Sequence, residues 1–120
     1  MPHLIYGWTA DLAAVHRDFK PMQRQDNGWI LKALFCYLSH DSRILIFECI
    51  AVRSGFSQNF FLRAEQKGES VTFRVDPHTN VEKNEGVKRM LLAVRDLVVS
   101  ANSHMKFEKS NLPPELLGNS

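Results

Sequence analysis

Apolar positions along this chain recur with two periods, close to two through the middle and close to 3.6 near the ends. Residues 28–39 (GWILKALFCYLS) and 43–53 (RILIFECIAVR) are almost continuously apolar, β-branched and aromatic. The turn-forming His40-Asp41-Ser42 separates them, which predicts a β-hairpin. On a simple register one face of this hairpin carries Trp29, Leu31, Ala33, Phe35 and Tyr37 with Ile44, Ile46, Ile50 and Val52. The other carries Ile30, Leu34, Cys36 and Leu38 with Leu45, Phe47, Cys49 and Ala51. Ser54-Gly55 turns the chain into residues 56–66, where Phe56, Phe60, Leu62 and Ala64 oppose the more polar Ser57, Asn59, Arg63 and Glu65. After a turn at Lys67-Gly68-Glu69, Val71, Phe73 and Val75 alternate with Thr72 and Arg74 until Pro77 stops the strand.

The ends read differently. Residues 3–8 (HLIYGW) suit a short strand or an extended arm, after which Thr9 can cap a helix with Leu12, Val15 and Phe19 on one side and Pro21 as its stop. The polar residues 23–28 (QRQDNG) read as a surface loop ending in a turn. Thr79 and Glu82 have the spacing of a capping box, and Val87, Met90, Leu91, Val94, Leu97 and Val98 form the apolar stripe of a long helix. Lys88, Arg89, Arg95 and Asp96 fall outside that stripe, and Gly86 weakens the first turns, moving the ordered start toward Asn84. The fold class that follows is α+β, an antiparallel meander sheet of four or five strands with a short N-terminal helix and a long C-terminal helix packed on one face. Residues 1–102 form the single domain, and 103–120, with Pro113-Pro114 and little pattern, form a tail ordered only where Phe107 or Leu116-Leu117 finds a groove.

One long helix cannot cover both sides of a hairpin that is apolar on both sides. The second face therefore needs another copy of the chain, a partner protein, or a ligand, and symmetric self-association is the most economical of these. Trp29, Phe35, Tyr37 and Ile46 are the expected interface residues.

Composition narrows the classes of function. At 120 residues, 44% apolar and 23% charged, the chain has the balance of one folded domain. Fifteen basic against 13 acidic residues, spread evenly over the two halves, give neither a basic arm nor a field that attracts phosphate backbones or anionic lipid. Cys36 and Cys49 both lie in apolar runs and read as buried free thiols, not as a disulfide framework. The first residues lack a basic region followed by a long apolar stretch, and no apolar run reaches the roughly 18 residues of a membrane span, so the expected location is cytoplasmic.

Candidate chemistry is sparse. Glu48 is the single charge inside residues 44–52, facing the same side as Ile46 and Ile50. It is paired with a basic group, or sits where the strand is less buried than its apolar neighbours suggest, or lines a cavity between sheet and helix with Tyr37 and Lys32 as neighbours. Arg53, Arg63 and Arg74 fall on adjoining strands among Asn59, Phe61 and Thr72, a pattern that could hold single-stranded nucleic acid. Glu65-Gln66-Lys67 has the Glu-x-Lys spacing seen in metal-dependent nucleases of the restriction-endonuclease type, but no Pro-Asp element precedes it. The five histidines show no zinc-ligand spacing, and there is no phosphate loop or nucleophile elbow. These residues imply no metal and no cofactor. They favour a small non-catalytic protein-binding or regulatory module, with an enzyme or ligand binder around Glu48 and a nucleic-acid binder as alternatives.

Overall fold

A computed structural model describes residues 2–79, 81–82 and 84–117. The alternating segments fold as strands and the 3.6-period segments as helices, in the order β1 (His3–Gly7), α1 (Leu12–Asp18), β2 (Met22–Asp26), β3 (Trp29–Leu38), β4 (Ile44–Arg53), β5 (Phe56–Lys67), β6 (Ser70–Val75), α2 (Glu85–Ala101), β7 (Lys106–Ser110) and α3 (Pro114–Leu117). Among the described residues the seven strands make one antiparallel half-barrel sheet, ordered β2-β3-β4-β5-β6-β1-β7. Its centre is the expected meander. The sheet is wider than expected because β2 extends one edge and β1 and β7 extend the other.

β2 replaces the expected loop over residues 23–28. Its register with β3 runs from Met22 opposite Ala33 to Asp26 opposite Trp29, and Asn27-Gly28 closes the hairpin with φ of 50° and 85°. Positive φ at both central residues is the two-residue turn that fits the twist of paired strands, and Asn-Gly adopts it at low cost. Ser54-Gly55 repeats the device between β4 and β5, with φ of 49° and 81°. The inward positions of β2 beyond Met22 are charged, not apolar. Arg24 Nη2 donates to Asp96 Oδ2 at 2.9 Å, and Asp26 Oδ1 accepts from Arg89 Nη1 at 2.7 Å, both partners lying on α2.

One residue in β3 decides which side chains face the core. Ala33 lies opposite Cys49, but the next pair is Phe35 with Glu48, so Leu34 is an extra residue and the strand bulges there. A slip of one position exchanges the two faces for everything beyond it. Trp29, Leu31 and Ala33 therefore join Leu45, Phe47, Cys49 and Ala51 in the core, with Cys36 and Leu38 packed against them. Phe35 and Tyr37 turn outward to the side of Ile44, Ile46, Ile50 and Val52. The face assignment expected from an unbroken register is thus corrected for Trp29, Leu31 and Ala33, which lie inside, and for Ile30, which lies outside opposite Val52, while Cys36 and Leu38 stay on the face expected for them.

α1 and α2 lie side by side on the inner face, which is completed by Phe60, Leu62 and Ala64 of β5, Val71, Phe73 and Val75 of β6, and Leu4 and Tyr6 of β1. Asp11, not Thr9, caps α1, accepting from Ala14 N at 3.0 Å. Asn84 caps α2, accepting from Val87 N at 3.1 Å. The curled sheet buries more of α2 than its apolar stripe. Leu92 and Ala93 are covered as well, and so is Arg95, whose guanidinium donates to Tyr6 Oη at 2.8 Å and to Asp96 Oδ1 at 2.7 Å. α2 is not the last element, because residues 103–117 supply the edge strand β7 and α3 and bring Met105 and Leu112 into the same core.

The α2 N-terminus is seated by Trp29. A Cβ built on Gly86 would lie 2.6 Å from two ring carbons of Trp29, while the indole Nε1 donates to Glu85 Oε2 at 3.4 Å and the Arg53 guanidinium carbon sits 5.6 Å from the ring centroid. Gly86→Ala is expected to lower unfolding free energy by about 1–3 kcal/mol, because overpacking against the ring outweighs a helix-propensity gain of at most about 1 kcal/mol. Chemical denaturation measures it. An unchanged or higher midpoint would mean that the indole can move aside.

Candidate protein-docking face

Among the described residues no helix lies on the outer face of the half-barrel, and the strand register arranges its side chains in rows. Ile30, Val52 and Ser57 form one row; then come Lys32, Ile50 and Asn59; then Phe35, Glu48 and Phe61; then Tyr37, Ile46, Arg63 and Arg74; and last Ile44, Glu65 and Thr72. Phe35, Tyr37 and Phe61 are 56%, 49% and 38% exposed, and Ile30, Ile44, Ile46, Ile50 and Val52 are half-buried between them. This continuous apolar field on β3, β4 and β5 differs from the remaining large exposed side chains, Trp8, Phe56 and Phe107, which stand at strand ends or on the β7 edge.

The expected interface residues divide accordingly. Phe35, Tyr37 and Ile46 lie on the open face, while Trp29, 6% exposed, lies under α2 on the opposite face. Phe61, Ile50 and Val52 share this face; the sequence puts Ile50 and Val52 beside Phe35 and Tyr37 and Phe61 among the arginines, without marking any of them as an interface residue. The signal for Phe61 is its parity, since Phe60 and Leu62 on either side take the core positions.

Glu48 sits in the middle of the field. Its Oε1 accepts a 3.1 Å hydrogen bond from Tyr37 Oη, and that bond holds the phenol pKa above its ordinary value. Lys32 is its diagonal neighbour on β3 and Arg63 its diagonal neighbour on β5, yet neither forms an ion pair with it. Glu48, Tyr37 and Lys32 all lie on the side away from α2, so the pocket expected between sheet and helix does not contain them.

The three arginines are not one surface. Arg63 and Arg74 are direct cross-strand partners, an arrangement of like charges that is unfavourable unless carboxylates intervene. Glu65 lies 3.9 Å from Arg63 and 3.8 Å from Arg74, and the buried Asp76 lies 3.8 Å from Arg63 Nε. Arg53 stands seven residues along β4 from the position facing Arg63, roughly 23 Å at 3.3 Å per residue. There it stacks on Trp29 and reaches Glu85 at 3.6 Å. Each arginine is thus matched by a carboxylate, and Glu65 of the Glu-x-Lys triplet is held by arginines while Lys67 ends β5 at a turn.

Among the described residues no group of three His, Cys, Asp or Glu side chains is placed to hold a metal ion, and no helix is long and apolar enough to cross a membrane. A cleft of about 410 Å³ between α1 and α2 is lined by Val15, Phe19, Leu97 and Ala101, with Arg17 and Asp18 at its rim bonded to each other at 3.1 Å. Comparison with protein-family models, curated protein sequences and solved structures gave no match.

Cys36 and Cys49 are free thiols on the inner face. Burial pushes the Cys36 thiol up to about 11 and raises Cys49 as well. At pH 8, below these values, the thiol form dominates and only about one Cys36 in a thousand is thiolate. A thiol-specific disulfide reagent at pH 8 is expected to modify the native chain about 100-fold or more slowly than the denatured chain. Native labelling at the denatured rate would show that β3 opens readily.

Proposed function

We propose that the protein is a non-catalytic protein-binding module that docks a second protein chain, in first place another copy of itself, on the open face of β3, β4 and β5. The observation that carries this reading is the apolar field of Phe35, Tyr37, Ile46, Ile50 and Phe61 on a sheet face that no described helix covers. Apolar surface removed from water stabilises an association by roughly 25 cal/mol per Å², and aromatic side chains at the centre of a contact contribute most. Two sheet faces of this kind pack about 10 Å apart with their side chains interdigitated.

The central Glu48 fits this use better than it fits catalysis. Its one hydrogen bond is to Tyr37, and it lies on an open surface, not in a cavity that could enclose a substrate. The arginines at the margin are matched by carboxylates, which suits a polar rim around an apolar centre better than a track for phosphates.

Light scattering on the purified chain tests the reading. The wild type is expected at twice the 13.8 kDa chain mass, and Ile46→Asp at the single-chain mass while still folded by circular dichroism, since the residue lies on the outer face away from the core. A wild type that stays at the single-chain mass at high concentration, with the same hydrodynamic behaviour as Ile46→Asp, would overturn it.

A further inference from the structure

The docking surface contains one carboxylate, Glu48, that no described cation of its own chain meets. Glu48 lies between Phe35 and Phe61 across the strands and between Ile46 and Ile50 along β4, so an occupant that covers the apolar field also covers this carboxylate. A carboxylate taken out of water with only a phenol for a partner costs several kcal/mol unless a cation meets it. Its neighbour Arg63 is held away by Glu65 and Asp76. Lys32 is the remaining cation within the field, and it makes no ion pair with any described residue.

The strand register places Lys32 and Glu48 on opposite corners of a four-residue block, with Ile50 and Phe35 on the other two corners, because Lys32 faces Ile50 and Phe35 faces Glu48. Consider a two-fold axis lying between two such sheets and passing over Ile50 and Phe35. The rotation carries the Lys32 position of one copy onto the Glu48 position of the other, and the reverse. Ile50 and Phe35, on the axis, then meet their own counterparts. An isologous contact needs a patch that complements itself in this way, and a patch with an apolar diagonal crossed by one cation and one anion does so.

Resting on the reading of this face as a docking surface, we infer that its occupant is a second copy of the chain, joined by a two-fold contact in which Lys32 of each copy pairs with Glu48 of the other. Two reciprocal ion pairs flank an apolar centre and neutralise both buried carboxylates. They also fix the rotational setting of one sheet on the other, which the apolar field alone would leave loose.

Charge reversal tests the pairing. Lys32→Glu and Glu48→Lys each place like charges together twice, so each variant is expected to raise the dimer dissociation constant about 100-fold or more. An equimolar mixture of the two variants matches every Lys with a Glu and is expected to recover a heterodimer of near wild-type affinity. The double variant Lys32→Glu/Glu48→Lys is expected to recover a homodimer. Circular dichroism and thermal melts of each variant establish folding, and Lys32→Gln and Glu48→Gln, which remove charge without reversing it, are expected to give intermediate affinities. A dimeric wild type whose affinity is unchanged by either reversal, or reversals that weaken it without recovery on mixing, would overturn the pairing and leave the docking face in place. A wild type that never dimerises would overturn both.

Discussion

The strict alternation of side chains along a strand, broken once at Leu34, governs both sides of this molecule. Had β3 paired with β4 without interruption, Phe35 and Tyr37 would point with Trp29 into the space that α1 and α2 occupy, and Cys36 and Leu38 would face water. The extra residue lets one strand serve the core with its first half through Trp29, Leu31 and Ala33, and with its second half through smaller side chains. The aromatic pair is thereby delivered to the outer surface. The inner packing and the exposed apolar field are two results of the same irregularity.

The seating of α2 follows from the core that this arrangement creates. Trp29, kept inside, presents its ring to Gly86 and its N–H to Glu85, and Glu85 also accepts from Arg89 Nη2 at 3.0 Å. Arg89 continues to Asp26, and Arg24 to Asp96, so the outermost strand of the meander is tied to the helix by charge instead of grease. Such partly exposed pairs contribute little individually, but several in one network fix the helix against β2 and β3. On the other flank Arg95 spans from Asp96 to Tyr6, linking α2 to β1.

The β3–β4 hairpin, the strands around Phe60 and Phe73 and the stripe of α2 were legible because each shows contrast, apolar against polar at the right period. β2 was not legible because its inward residues Arg24 and Asp26 are as polar as its outward Gln23 and Gln25, so the pattern carries no contrast at all. The burial of Arg95, which falls outside the apolar stripe, was not legible for a similar reason: a charged residue buried by a curled sheet and satisfied by Tyr6 looks identical in sequence to one in water. The bulge left no trace that periodicity could register, since residues on both sides of Leu34 are apolar. For the outer face, the sequence showed that β3 and β4 are apolar on both sides, yet only the register could say that Trp29 lies inside while Phe35, Tyr37 and Ile46 share a surface with Glu48 and Lys32.

The two margins of the sheet have a consequence of their own. β7 carries Lys106, Glu108 and Lys109 within five residues, and β2 carries Gln23, Arg24, Gln25 and Asp26, so both free backbone ladders are fringed with ionic or amide groups that hold water. Foreign strands are discouraged from adding there, and with them the end-to-end stacking that leads to fibrils. Despite its greasy flank, the half-barrel is thus guarded against lateral polymerisation, and the proposed contact through the broad face would close into a finite particle.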